Sequence, residues 1–366
     1  MFLSIREIRR SPGRFALLTG AVALLVVLLL FFQAVAGTLT LGLTGGIENN
    51  GADVFVYSDR ARRNPAASLL PGATPALVAS VDGVADASPV GRSIFEAGGE
   101  DIVVIGLVDG ATTGPRELSA GRRAERSGEA VFSGSSLAAS LDLGQRVTIE
   151  GVGLEVVGVA DDAAFEVSPT LYVAFDDYET AVRARAGVPV ETPASWIAVT
   201  VDDGADPRAV AERISAEVPG VEALDRSSAA AALPGVDQIT SSFSILYLLL
   251  FIVVTIVTGV FFLILTVQKE RSLVLLHAIG ASRSDVVRPV LLQVLAVTGL
   301  GAGLGVGLAA GLLAATPETF GSSLDPITTI LTVGFIVVLG VVASLGAVRR
   351  VLSVDPIDAT TAAGAV

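Results

Sequence analysis

Four long stretches of this chain carry no Asp, Glu, Lys or Arg: residues 15–47, 238–268, 289–317 and 326–348. Each exceeds the roughly 20 apolar residues that cross a hydrocarbon layer of about 30 Å. The pattern predicts membrane helices at 15–38, 242–267, 288–314 and 326–348. The first run has some marks of a secretory signal peptide, with Arg6, Arg9, Arg10 and Arg14 before it and the small residues Ala34-Val35-Ala36 near its end. Its apolar part outruns the 7–15 residues typical of such a signal, so the expectation is an anchor that stays. Residues 2–14, with Phe2, Leu3, Ile5 and Ile8 set against Arg6, Arg9 and Arg10, predict a basic amphipathic helix (1–14) lying in the membrane interface.

Between the first two spans, residues 46–238 change character, and short strand and helix signals alternate. Strands are expected at 52–57, 101–108 and 170–175 from their β-branched and aromatic content. A helix is expected at 74–84, started by Thr74 with Pro75 in its first turn. Residues 128–162 read as a strand, a short helix and a tight hairpin around Gly151. Residues 195–203, 207–219 and 221–225 read as strand, helix, strand. The sum is a mixed α+β domain, expected as two small lobes. The fold class is therefore an α-helical membrane protein with one span before and three after a large inserted α+β domain.

Charge orients this arrangement. Basic residues mark the cytoplasmic side. Arg6, Arg9, Arg10, Arg14, Lys269, Arg271, Arg283, Arg288, Arg349 and Arg350 stand against five acids in the same segments, whereas 48–237 holds 14 Arg against 30 Asp and Glu. Both termini, the loop after the second span and the tail 349–366 are expected in the cytoplasm of a plasma-membrane protein. The inserted domain is expected outside.

Composition removes several chemistries. The chain has 366 residues, no cysteine, one histidine (His277) and 17% charged residues, below the roughly 25% usual in soluble domains. Disulfides, thiol catalysis and Cys-based zinc sites are excluded. No Ser lies in a Gly-x-Ser-x-Gly elbow; "FSGSSL" (132–137) reads as a loop and helix start. The acidic pairs Asp161-Asp162, Asp176-Asp177 and Asp202-Asp203 match no calcium-loop spacing and read as solvated turns. The arginine-rich stretches "RARRNP" (60–65) and "RELSAGRRAER" (116–126) read as exposed loops, and contact with lipid headgroups or a partner is one use for them. In the third span Gly299, Gly303, Gly307 and Gly311, and again Gly301 and Gly305, repeat at the four-residue spacing that lets helices approach closely. Packing against the fourth or second span is expected.

"KERSLVLLHAIGASRSDV" (269–286) sits between two greasy spans and holds the only lysine and the only histidine. Leu273, Leu276 and Ile279/Gly280 fall on one face of a helix, and Gly280 suits its end. Here the chain resembles the permease subunits of MacB/FtsX-type (type VII) ABC transporters. Glu270, Arg271, Leu276, Ala278, Ile279, Gly280, Ala281, Ser282 and Arg283 fit that family's loop motif, with His277 in a position usually held by Arg. Arg349, Arg350, Pro356 and Ala359 fit the motif after its last helix, where Thr360 replaces a Leu. Residues 128–162 also resemble the family's outside domain. The N-terminal half, "FLSIREIRRSPGRFALLTG" (2–20) and "GGIENNGADVFVYSD" (45–59), is similar to the HrtB/DevC branch, whose HrtB-type members export haem.

The resemblance implies a working arrangement. The one lysine stands in Gln-Lys-Glu, so no Walker A loop is present, and "GLGAGLGVG" (299–307) lacks the lysine such a loop needs. ATP hydrolysis then belongs to a separate ABC ATPase, in two copies, which uses the ATP and Mg; this chain is expected to bind no cofactor or metal and no nucleic acid. Residues 269–285 become a coupling helix whose Glu270, Arg271, Leu273, Leu276, His277, Ile279, Gly280 and Arg283 meet that ATPase. Two copies of this chain pair as a homodimer in membrane lipid, and ATPase closure is relayed to the outside domains. If the substrate is haem, Glu48 is a candidate iron ligand, with Tyr57 and Tyr247 as alternatives; Phe31, Phe32 and Phe243 are candidates to line a slot. Export of an amphiphile, release of a lipid or lipoprotein, and a non-transporting relay to an outside partner remain the three readings.

Overall fold

The computed structural model describes residues 12–108, 113–134, 141–188, 192–268, 283–315 and 326–352, with backbone alone at 262, 265–268, 283–290 and 345–352. Most of the amphipathic helix, the coupling segment up to residue 282 and the tail beyond 352 lie outside the described residues. The chain forms two compact units, one of Met1–Ala36 with Ser242–Val366 and one of Gly37–Ser241.

In the helical unit, α1 (Pro12–Glu48) supplies its first part. The last three helices of the chain complete this unit. The inserted domain begins with β1 (Val54–Ser58) and the six-residue α2 (Thr74–Ala79). The hairpin β2 (Val84–Ala97) and β3 (Glu100–Leu107) follows, then the short β4 (Ala120–Gly121), β5 (Glu129–Ser133), β6 (Arg146–Ile149), β7 (Val152–Val159) and β8 (Thr170–Ala174). Helix α3 (Phe175–Ala186), β9 (Trp196–Val201), α4 (Pro207–Glu217), β10 (Val221–Asp225) and α5 (Arg226–Ala231) complete it. Helices α6 (Val236–Gln268), α7 (Arg283–Ala315) and α8 (Pro326–Leu352) return the chain to the helical unit.

All ten strands join one sheet in the order β10-β1-β9-β2-β3-β8-β5-β7-β4, with β6 paired to β7. This replaces the expected two lobes. The bridge between the halves is β2, which pairs with β9 on one side and β3 on the other. Its sequence, "VADASPVGRSIFEA", contains Pro89 and Gly91 and lacks clean alternation, so it gives no strand signal. The helix expected at 74–84 stops at Ala79, and Val84 already belongs to β2. Helix α3 has weak amphipathic patterning and gave no sequence signal either. The hairpin at Gly151 is present: Glu150 and Gly151 both have positive φ (45° and 85°), as a two-residue turn between right-twisted strands requires.

Strand alternation sorts the core. Phe55, Tyr57, Val103, Ile105, Leu107, Val131, Tyr172 and Trp196 point to one face, under Ile47 of α1, Phe165 and α5. On the other face Val54, Val56, Ile197 and Val199 meet Val210 and Ile214 of α4. Farther along that face Ile102, Val104, Phe132 and Leu171 meet Tyr178 of α3. Helix α4 starts where expected because Asp206 caps it, its side chain accepting from Arg208 N–H at 3.1 Å, with Pro207 next.

The last turns of α1 are clamped by a strap, residues 160–168. A Cβ added to Gly45 would lie 2.5 Å from the Asp162 carbonyl oxygen, and one on Gly46 2.3 Å from the Phe165 ring. Gly46 N–H donates to Ala164 O (2.9 Å) and Val167 N–H to Gly42 O (2.8 Å). Tyr172 Oη donates to Ala163 O (2.5 Å), and Phe165 stacks 5.5 Å from Trp196. The strap is bent through two successive left-handed residues, Glu166 (φ 56°) and Val167 (φ 59°), and the latter is a conformation that a β-branched residue adopts only under constraint.

In the helical unit one of the two glycine stripes expected to pack closely does so, and its partner is the first span, whereas the fourth or second had been expected. Around Gly299, Gly303, Gly307 and Gly311 no described residue of another element comes within 4 Å of an added Cβ. Gly301 and Gly305 are the tight pair: added Cβ atoms would meet Val22 at 2.9 Å and Val26 at 2.6 Å, so α7 packs against α1. Helix α8 joins through Gly340, 2.9 Å from Thr298 of α7 by the same measure, and through Ala343, 3.4 Å from Gly259 of α6. Phe15, Leu18, Val22, Val26, Leu250, Val254, Val294, Val297 and Ile336 form the core of the unit.

Candidate functional site

Two places gather the residues singled out from the sequence. The first lies between α1 and α6 in the helical unit. Tyr247 Oη donates to the Phe32 carbonyl at 3.3 Å, linking the two spans. Phe31 and Phe32 stand edge to face at 5.9 Å, and the Phe243 and Tyr247 rings are tilted by 39° at 6.1 Å. All four rings are half-buried. Gln33 adds a polar link, its Nε2 donating to Thr332 Oγ1 of α8 at 3.4 Å. Residues 243 and 247 are one turn apart on the same face of α6, and the Tyr247 hydrogen bond to the Phe32 carbonyl is the link that brings them to α1. The surface is aromatic, with a phenol and an amide as its polar groups.

The second is a cleft of about 580 Å³ in the inserted domain. Thr40, Thr44 and Glu48 line it from one face of α1, and Asp53, Pro207, Asp225, Arg226, Ser227, Ala230, Ala231 and Val236 form the rest. Glu48, the last residue of α1, is exposed. Arg226 is fastened by its Nε and Nη2 to Ala52 O (2.9 and 2.5 Å) and by Nη2 to Asp53 Oδ1 (3.1 Å). Burial, with the nearby Arg116 charge, lowers the Arg226 pKa, and Asp53 opposes the shift. Burial pushes Asp225 upward, but hydrogen bonds from Ser227 and Ser228 outweigh it and hold the carboxyl below its ordinary range. Sequence reading found Glu48 but missed Asp53, Asp225 and Arg226. Thr40, Thr44 and Glu48, at four-residue spacing, were the available signal for a polar helix face.

Glu48 thus belongs to the inserted domain, and the four aromatic candidates belong to the helical unit. Tyr57 is removed as a ligand candidate. It is 1% exposed in the domain core, and burial drives its phenol far above the usual range, so an accessible phenolate is not available there. Asp177, expected in a solvated turn, is buried and accepts from Ser127 Oγ (2.6 Å) and Gly128 N–H (2.8 Å). Among the described residues no group of three or more His, Cys, Asp or Glu is placed to hold a metal ion. Of the coupling residues, Glu270, Arg271, Leu273, Leu276, His277, Ile279 and Gly280 lie outside the described residues; Arg283 opens α7.

Comparison with known proteins places the chain. The family described as MacB-like periplasmic core domain matches residues 15–217, and the FtsX-like permease C-terminal family matches 244–356. A curated relative, the hemin transport system permease protein HrtB of Staphylococcus haemolyticus, is 29% identical over 110 residues. That alignment spans 30% of this chain and 31% of the relative, so less than a third of the relative's length is matched. Among solved structures, the periplasmic region of MacB from Actinobacillus actinomycetemcomitans aligns with 13% identity over 50% of this chain and 92% of its own, at a TM-score of 0.36. The extracellular domain of YknZ from Gram-positive bacteria aligns with 17% identity over 47% and 99%, at 0.32. One family match covers more than half the chain and the other its last three membrane helices: the chain belongs to the MacB/FtsX-type family of ABC-transporter permeases.

Proposed function

We propose that this permease exports a flat amphiphile, with haem as the candidate substrate, when a separate ABC ATPase hydrolyses ATP. The observation that carries the substrate is the aromatic group of α1 and α6, in which Phe31, Phe32, Phe243 and Tyr247 offer ring faces and one phenol to a planar, largely apolar molecule. Tyrosine is a known axial ligand of haem iron. The name of the partially matched relative agrees with this choice. In this reading two copies of the chain pair and two ATPase subunits, which bind the ATP and Mg, grip residues 269–285. Both termini are cytoplasmic, the inserted domain is outside, and helices α1 and α6 relay ATPase closure to it. Substrate and ATP must then favour the same pair of states for transport to be driven.

The test is a haemin titration of the full chain in lipid nanodiscs, followed by Soret absorbance, with Tyr247→Phe and Glu48→Ala beside the wild type. A saturable shift lost in Tyr247→Phe supports the reading. Loss in Glu48→Ala alone would move the haem site to the cleft. No saturable shift in any form overturns haem as substrate and leaves lipid release or a relay role.

A further inference from the structure

The base and the tip of the strap 160–168 are fastened in different ways. The base is bonded along its length. Ala160 N–H donates to Phe132 O (2.8 Å), Ala163 N–H to Ser133 Oγ (3.2 Å) and Phe165 N–H to Thr170 Oγ1 (3.0 Å), and Tyr172 Oη donates to Ala163 O. This half meets α1 at Gly45 and Gly46. The tip is the tight turn "FEVS" (165–168), closed by Ser168 N–H to Phe165 O at 3.0 Å. It meets α1 one turn earlier, at Gly42. Val167 N–H donates to Gly42 O (2.8 Å), and a Cβ added to Gly42 would lie 3.3 Å from the Val167 side chain.

The tip carries the strain. Glu166 and Val167, its two central residues, have φ of 56° and 59°, a conformation for which turns ordinarily use Asn and Gly. A β-branched residue held there is strained. The other anchor of the tip is the ion pair of Glu166 Oε2 with Arg92 Nη2 of β2, in which the Arg92 side chain is 6% exposed and that of Glu166 43%. Among the described residues Arg92 Nε is buried with no hydrogen-bond partner, and a buried donor left unpaired is unfavourable. Lifting the tip breaks the ion pair and the bond to Gly42. It also lets water reach the Arg92 guanidinium where Glu166 stood, and it lets two residues leave the left-handed region. Losses and gains of similar size make the tip the part of the strap that opens most easily. The helix beneath is soft at the same place: residues 37–46 contain Gly37, Gly42, Gly45 and Gly46, and interior glycine weakens a helix.

We propose that the turn Phe165–Ser168 is a releasable latch on α1: with Glu166 on Arg92 it pins the helix at Gly42, and when that pair parts the turn swings off while the base of the strap keeps its hold at Gly45 and Gly46. Latched, α1 is fixed to the domain from Gly42 onward. Released, the fixed part begins one turn later, and a load carried along α1 bends it at Gly42. The latch belongs to the inserted domain and is independent of the haem reading.

The test is hydrogen–deuterium exchange of the full chain in phosphatidylcholine nanodiscs, resolved to single amides by fragmentation and expressed as protection factors. Val167 N–H and Gly46 N–H both bridge strap and helix, at 2.8 and 2.9 Å, so a strap that opens only as a whole protects them alike. The latch predicts that Val167 is protected about tenfold less than Gly46, or weaker still. Glu166→Gln, at a half-exposed position, should lower the Val167 protection by a further factor of about five. Val167→Asn, which suits the turn, should raise protection at position 167 about threefold. Both variants should leave the Gly46 protection unchanged. Equal protection of the two amides in the natural chain, an unchanged Val167 in Glu166→Gln, or unchanged or weaker protection at 167 in Val167→Asn would overturn the latch.

Discussion

Replacing Gly45 by alanine tests the clamp on α1. Gly45 lies inside a helix, where alanine is normally favoured over glycine by about 0.5–1 kcal/mol. Here the new methyl would stand 2.5 Å from the Asp162 carbonyl oxygen and 3.0 Å from its carbon. These are backbone atoms, so the strap itself must retreat, by roughly 1 Å to reach ordinary contact. Overpacking of this kind costs about 1–3 kcal/mol. The retreat also strains the adjoining bonds, Gly46 N–H to Ala164 O and Asn49 Nδ2 to Asp161 O (3.0 Å), each worth about 1 kcal/mol. The net expectation is a loss of about 1–3 kcal/mol. For a unit of this size, that corresponds to a fall of about 3–10 °C in unfolding midpoint. Trp196, the only tryptophan, is 1% exposed and stacks on Phe165 of the strap, so its emission during heating reports on this unit. Gly37→Ala is the control. It lies on the same helix with no described residue of another element within 4 Å of an added Cβ, and should raise stability by about 0.5–1 kcal/mol. If Gly45→Ala were as stable as Gly37→Ala, the close approach of strap and helix would be refuted.

Other perturbations have equally definite outcomes. The Glu129 carboxyl, held by Arg122, has its pKa lowered to about 2; its stabilising effect is complete above the unfolded value near 4.5 and is lost as pH falls through about 2. Carbon-13 titration should show that low midpoint, and Arg122→Ala should return it toward 4.5. Asp206→Ala removes the cap of α4 and should cost about 1 kcal/mol, read as a lower unfolding midpoint. In the helical unit, Gly301→Leu should break the α7–α1 contact and lower thermal stability in detergent, while Gly303→Leu should leave the folded chain intact; equal damage from both would contradict the packing seen.

The sequence made the membrane helices plain because bilayer thickness demands long uncharged runs, and nothing in the inserted domain imitates them. Within that domain, strands with dense β-branched content, such as β1, β3 and β9, were legible, as was the capped helix α4. The join through β2 was not, because Pro89 and Gly91 break the usual pattern and the strand is stabilised by two neighbours distant in sequence. The four-residue spacing of glycines in α7 was visible, but which of two interleaved stripes packs depends on helix rotation, which tertiary contacts set. Residues of the candidate site were legible one at a time. Their separation into an aromatic group on α1 and α6 and a polar cleft around Arg226 was not, because Arg226 is fixed by the carbonyl of Ala52, 174 positions away. The burial of Tyr57 likewise follows from the sheet and not from its neighbours in sequence.

The most direct measurement of the proposed function is haemin extrusion by proteoliposomes that hold this chain together with an ABC ATPase subunit, with and without ATP. Extrusion should require ATP and should disappear both when the ATPase loses its Walker lysine and when Leu276→Glu is placed in the permease. Haemin movement that is the same with and without ATP, while the assembled ATPase is turning over, would contradict the account.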